Sequence, residues 1–327
     1  MAMDYEKLKV VPRLLLEAEL KPLQGERFQP TGFADLGAAR YTLADGTEML
    51  LVESTQSVAN RMEMACWDEG TAKLISELEG LPYIQVKRDD KVFTNSILEA
   101  HRINSEYIMA TEIRDRINNE AGVQKEAPID WIKFRKVLAK YDIGSLIHGC
   151  FLEEIDGRLR ITRLISGFIE ARGIQIAQSG GVKNNFVQPT LKSGEGNVPY
   201  TRTEFTAEKI TAYFNLDLAL LRGYGLGEKA TKLLIALSLF KVCRFLSTGL
   251  RLRTACDLEA RGPLTVAKPL GFSLPSEKEL LDECKTLIGS CKAEGLFANP
   301  PITEVTWKPG KKEKKQEASE SNEENEE

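Results

Sequence analysis

Apolar and polar residues alternate through several short stretches of the chain, and each predicts a half-buried strand. From Leu14 the alternation runs Leu14, Leu16, Ala18, Leu20 within VPRLLLEAEL, 11–20. Residues 48–53 form a short extended stretch and LPYIQV, 81–86, another. ITAYFNLDLALL, 210–221, alternates from Ile210 to Leu220; LRLRTACDL, 250–258, reads as one strand, and ITEVTW, 302–307, as the last. Asp156-Gly157 is a hairpin signal that divides 143–155 from 158–177, two further strands.

Helical spacing appears elsewhere. After residue 53, Val58, Met62 and Ala65 recur at i, i+4, i+7 and should face the core, with Gln56, Asn60 and Glu63 on a polar stripe. Residues 95–140 are charged and helical in pattern, broken at Ala121-Gly122 and Pro128, and predict a helical insertion. A long apolar helix covers 228–247, and Ser276-x-x-Glu279 is a capping box opening a helix to about 294. GERFQPTGFADLGAAR, 25–40, reads as a loop, and 179–206 is a long excursion rich in Gly, Asn, Pro and Thr. The sum predicts an α+β fold: an antiparallel sheet, helices on one face and long insertions between strands.

Composition narrows the function. The 327 residues are 42% hydrophobic and 28% charged, ordinary for a globular chain. No apolar run is long enough for a membrane span, so a soluble protein is expected, and the start, MAMDYEKLKVV, does not read as a signal peptide. Six scattered cysteines with no C-x-x-C read as reduced, mostly buried thiols of a cytoplasmic protein. Two distant histidines, His101 and His148, argue against a zinc site or a histidine-based triad. The glycine-rich signatures of phosphate and dinucleotide binding are missing, so no cofactor is expected. The net charge of −4 comes from the tail: QEASESNEENEE, 316–327, holds six Glu, and residues 1–315 carry 44 basic against 42 acidic groups, about +2. A near-neutral body is not that of a duplex-DNA binder; any nucleic-acid site must be local and use backbone amides as well as charge.

Four stretches offer such chemistry, each with a plainer reading beside it. The helix after residue 53 opens on Ser54, Thr55, Gln56 and Ser57, with Asn60 and Arg61 following. The first turn of a helix carries unpaired amides and partial positive charge, and here no acid neutralises it, which leaves a seat for a phosphate. The alternative is a Ser cap beside a solvated polar face. In GERFQPTG, Arg27, Gln29 and Thr31 alternate in a Gly-flanked loop that is either a ligand contact or a structural Ω-like loop. In IAQSGGVKNNF, Gly180-Gly181 permit unusual backbone angles, Lys183 and Asn184 offer polar contacts and Phe186 a stacking surface; the alternative is a surface hairpin. Arg251 and Arg253 share one strand face, suited to phosphate or to a solvated edge. Arg61 and Arg251 are expected to touch phosphate while adding little to folding. Asp35, Asp217 and Asp257 are the nearest carboxylates and read as structural.

Taken in order, LLLEAELKPLQGERFQPTGFADLG (14–37), LLVESTQSVANRMEMACWD (50–68), GSLIHGCFL (144–152), IAQSGGVK (176–183) and GLRLRTACDL (249–258) resemble one family. It is the CRISPR-associated RAMP protein, of the Cas-seven group, that forms the backbone of the type I-U (also called I-G) Cascade-like interference complex. The resemblance implies a modified RNA-recognition-motif (ferredoxin-like) palm within one domain over 1–307, helical fingers at about 95–140, a thumb hairpin at about 179–206 and a charged tail, 308–327. It implies copies stacked head to tail along a CRISPR guide RNA, presenting it to target DNA beside other subunits of the complex, without catalysis. The family's familiar Ser-Ser-Gln-Ser-like helix start corresponds to Ser54, Thr55, Gln56 and Ser57. A competing expectation is a RAMP-superfamily endoribonuclease that cuts target RNA with a loop aspartate, here Asp35. The acidic tail departs from the pattern and reads as a brake on non-specific binding.

Overall fold

The computed structural model describes residues 3–33, 36–184 and 197–309. The chain divides into two compact units: the first comprises 1–77, 164–223 and 232–284, the second 78–163, 224–231 and 285–327. The fold class is α+β, and its largest sheet is antiparallel.

The first unit is built on that sheet. Its strands are β1 (Arg13–Pro22), β2 (Arg40–Thr42), β3 (Glu48–Glu53), β4 (Ile165–Arg172), β7 (Lys209–Asp217), β8 (Arg251–Arg253), β9 (Cys256–Ala260) and β10 (Thr265–Lys268). β5 (Gln175–Asn184) and β6 (Asn197–Thr206) form a separate two-stranded ladder. The order is β8-β9-β1-β7-β4-β3-β2, with β10 also on β1. The predicted alternation sets the registers: Leu14 lies opposite Leu216, Leu16 opposite Phe214 and Ala18 opposite Ala212, all buried. Fully burying a Leu or Phe side chain stabilises by about 1.5–3 kcal/mol. On β4, Gly167 pairs with Phe214, and a Cβ there would stand 2.6 Å from the Phe214 ring and 3.1 Å from the Tyr213 carbonyl. Phe214 in turn meets Phe245 edge-to-face, centroids 6.3 Å apart. Phe245 belongs to the long helix Glu228–Thr248, whose Leu233, Leu237 and Phe240 are also buried.

The helix read from 54 onward is α1, Thr55–Met64, with Val58 and Met62 buried and Ala65, just past its end, half-buried. Glu63 departs from the expected polar stripe. It is 1% exposed and faces Lys241 of the long helix at 3.8 Å, because a buried carboxylate is tolerated only beside an opposite charge. The 250–258 stretch is two strands, not one: Arg253 and Cys256 pair across a tight turn at Thr254-Ala255. β7 likewise ends at Asp217, whose side chain accepts from the Leu220 amide and starts the short helix Leu218–Arg222.

The second unit contains a three-stranded sheet in which Ile302–Thr306 runs parallel to Tyr83–Arg88, itself antiparallel to Lys91–Asn95. The helical insertion is present as Glu106–Met109, Ile113–Ala121 and Trp131–Tyr141, the second ending on left-handed Gly122. The expected strand over 143–155 opens instead as a helix, Ile143–His148. Asp142 caps it, accepting from the Gly144 amide at 3.2 Å and the Ser145 hydroxyl at 2.6 Å. Ile143, Leu146 and Ile147 are all buried, so an apolar run flanked by a cap residue folded with period 3.6. The Asp156-Gly157 hairpin survives as two pairs, Cys150–Ile161 and Phe151–Arg160.

Among the described residues no helix is long and apolar enough to cross a membrane, and no group of His, Cys, Asp and Glu could hold a metal ion. The six cysteines are free thiols.

Candidate nucleic-acid interface

Four segments of the first unit are linked in series by hydrogen bonds: α1 to the β8–β9 turn, that turn to the loop at 25–32, and that loop to the foot of the β5–β6 hairpin. The first is α1 itself. Ser54 is its N-cap, and its hydroxyl accepts from the Ser57 amide at 3.3 Å. No acid stands in the first turn. Gln56 is exposed and its amide donates to the Asn60 side chain at 3.2 Å, while Thr55, Ser57 and Asn60 are half-buried. The Ser cap and the acid-free first turn therefore occur together, the cap hydroxyl accepting from the Ser57 amide.

The second segment is the loop before β2. Phe28 is buried, and its amide and carbonyl exchange bonds with Phe205 at the foot of β6, each 2.9 Å. Gln29 donates its amide to the Ala255 carbonyl at 2.7 Å, and Thr31 donates its amide to the Val52 carbonyl at 3.0 Å. The loop is thus stitched to β3, β6 and the β8–β9 turn. Arg27 is exposed and pairs at 3.3 Å with Glu204, which Arg202 also meets at 3.6 Å.

The third segment is the β5–β6 hairpin, ten antiparallel pairs from Gln175–Thr206 to Asn184–Asn197. Gly180 and Gly181 serve it by small size and not by unusual angles. A Cβ on Gly180 would lie 2.5 Å from the Tyr200 carbonyl, and one on Gly181 3.0 Å from the Tyr200 hydroxyl. Lys183 and Asn184 belong to β5 by backbone, and their side chains lie outside the described residues, as do Phe186 and Asp35.

The fourth is the β8–β9 turn. Leu250 and Leu252 are buried, Arg251 is exposed and Arg253 half-buried, so the two arginines share the predicted face. They differ in what they do. The Arg253 guanidinium donates to the Gln29 carbonyl at 2.9 Å, the Val52 carbonyl at 3.3 Å and the Glu53 carboxylate. Arg61, expected to be exposed, is half-buried and turned inward; it donates to the Arg251 carbonyl at 3.3 Å and to the Leu252 carbonyl, with Nε 4.0 Å from Glu53. Glu53 was not singled out in the sequence. Its only signal there was an acid at the end of an apolar strand, immediately before an acid-free helix start. Cys256 lies in the same turn, and burial pushes its thiol up to about 11, leaving it a neutral, inert side chain.

Two clefts open beside these segments. One, of about 610 Å³, is bordered by Gln29, Thr31, Arg40, Gln178, Arg202 and Phe205 among others. The other, of about 290 Å³, includes Arg27, Glu204 and Asp257 in its walls. Between them the four segments carry hydroxyls, amide side chains and a few cations, groups suited to a polyanion backbone.

Residues 14–176 match the family model described as "CRISPR-associated protein GSU0053". No sequence among the curated proteins matches the chain. Solved structures show a remote likeness. A chain of a "CRISPR RNA-guided surveillance complex, pre-nicking" covers 85% of this chain and 89% of its own length at 14% identity and TM-score 0.40. A chain of a "CRISPR RNA-guided surveillance complex" covers 86% and 83% at 14% and 0.35, and Csc2 from Thermofilum pendens covers 90% and 81% at 12% and 0.33. The family match stands on the sequence of residues 14–176, a stretch that includes β1, the Arg27–Thr31 loop, β3, α1 and the start of β5. Over that stretch, just under half of the chain, the sequence is similar to the CRISPR-associated GSU0053 family.

Proposed function

We propose that this protein is a non-catalytic backbone subunit of a type I CRISPR interference complex, of the I-U (I-G) kind, that holds guide RNA by its backbone. The observation that carries the reading is the convergence of an acid-free helix start, a stitched polar loop and a two-arginine turn, largely within the family-matched segment. Ser54, Thr55, Gln56, Ser57 and Asn60 form the phosphate seat, with Arg27, Gln29, Thr31 and Arg251 beside it, and Lys183 and Asn184 of the hairpin are further candidates for RNA contact. Contacts of this type position a strand without reading its sequence, which is left to pairing between the guide and target DNA. The antiparallel sheet serves as an RNA-recognition-motif-like palm, 95–140 as fingers and 179–206 as thumb, within one functional domain over 1–307 and ahead of the charged tail, 308–327. Copies stack head to tail through a heterologous interface, beside other subunits, in the cytoplasm.

The Gln56→Glu substitution tests the seat, because its two effects have opposite sign. An acid in the first turn favours the helix by about 0.3–1 kcal/mol. It also places negative charge where the phosphate sits. The melting temperature should hold or rise slightly while affinity for a labelled single-stranded RNA, read by fluorescence anisotropy, falls roughly fivefold to tenfold. Unchanged affinity would remove α1 from the interface.

A further inference from the structure

Glu53 is 2% exposed at the end of β3. A buried carboxylate persists only where cations and hydrogen-bond donors meet it. Here two guanidinium groups do so, both at Oε2. Arg253 bonds Glu53 with one arm and uses the other on the Gln29 and Val52 carbonyls. Arg61 lies 4.0 Å from the same carboxylate and bonds the backbone of Arg251 and Leu252. One residue of α1, one of β8 and one of β3 therefore tie together the helix start, the Gln29 loop and the arginine turn. These are the segments that the RNA reading needs in fixed relative positions. The fork of an arginine reaches several acceptors at set angles, whereas a lysine ammonium on a flexible stem does not reproduce them.

We infer that Arg61 and Arg253 are positioning residues for the RNA seat, with Glu53 as their shared counter-charge, and that neither meets phosphate itself. This rests on the RNA-binding reading above. Of the three arginines at this corner, only Arg251 then presents its charge to the strand. The near-neutral body of the chain agrees with a seat ordered by half-buried cations turned inward and not lined by them.

The test uses the full-length chain and a labelled single-stranded RNA, with affinity measured from about 50 to 200 mM salt. Arg253→Ala, Arg253→Lys and Arg61→Ala are compared with wild type well below each variant's melting temperature. Removing one cation that neutralises a phosphate of a single strand flattens the plot of log affinity against log salt by about 0.7. A positioning role predicts affinity about tenfold weaker with the slope unchanged, and no rescue by lysine. Arg251→Ala should flatten the slope. A flattened slope for Arg253→Ala with affinity restored by Arg253→Lys would make Arg253 a phosphate ligand and overturn the inference. Wild-type affinity in the folded variants would overturn it too, leaving only a structural role. If Arg253→Ala does not fold, Arg253→Lys, which keeps the charge, and Arg61→Ala carry the same comparison. Wild type that binds no RNA at low salt would instead remove the RNA reading, and the inference with it.

Discussion

At the scale of single residues, sequence showed which side chains could bind a phosphate but not which way they turn. Arg61, Arg251 and Arg253 look alike along the chain, and the alternation on 250–253 correctly placed both β8 arginines opposite Leu250 and Leu252. The partner that separates them, Glu53, lies 200 positions from Arg253. No local pattern encodes a contact of that range, and only the folded sheet brings it about. The separation gives a stability prediction. Arg253→Ala leaves a 2%-exposed carboxylate with one weaker partner and strips donors from two carbonyls. It should cost about 2–3 kcal/mol in urea unfolding. Arg251→Ala, at an exposed site, should cost less than about 0.5 kcal/mol. Equal costs would mean that the inward bonds of Arg253 contribute nothing.

At the scale of elements, strands with clean alternation were legible because one face meets the core and the other does not. β1, β3 and β7 are of this kind, and the capping box at Ser276 is made as read, with Ser276 and Glu279 bonding each other's backbone amides. Two of the misreadings share a cause. At 143–148 and 218–222 an aspartate stands before a short apolar run, and the cap selected a helix that the apolar pattern alone could not distinguish from a strand. Asp142→Ala should therefore lower stability by about 1–2 kcal/mol, more than Asp130→Ala at the exposed cap of Trp131–Tyr141, as thermal denaturation would show. Within the sheet, Gly167 offers a sharper case, since its sequence context gave no sign of need. Gly167→Val drives a branched side chain into the Phe214 ring and should cost about 1–3 kcal/mol, whereas Gly262→Ala, where an added Cβ meets nothing within 4 Å, should be nearly neutral.

At the scale of the whole molecule, the α+β class, the antiparallel sheet and the helical insertion all followed from pattern. The division into two compact units did not, because each unit is assembled from three separated stretches of chain. Net charge misled at this scale and was corrected only by counting residues 316–327 apart from the rest. If that acidic run acts as a brake, deleting 308–327 should raise affinity for non-cognate RNA at low salt and leave it little changed at high salt, where the repulsion is screened. Equal affinity across the salt series would show the tail to be neutral. Purifying the chain from a heterologous host shows whether it holds RNA as a backbone subunit would. The ratio of absorbance at 260 to 280 nm and the nuclease sensitivity of any bound material are then recorded. A subunit that stacks along guide RNA should carry RNase-sensitive, DNase-resistant nucleic acid of mixed length, running with a ladder of protein oligomers. A clean protein spectrum with no shift on adding single-stranded RNA at low salt, alone or with the partner subunits co-expressed, would contradict that role.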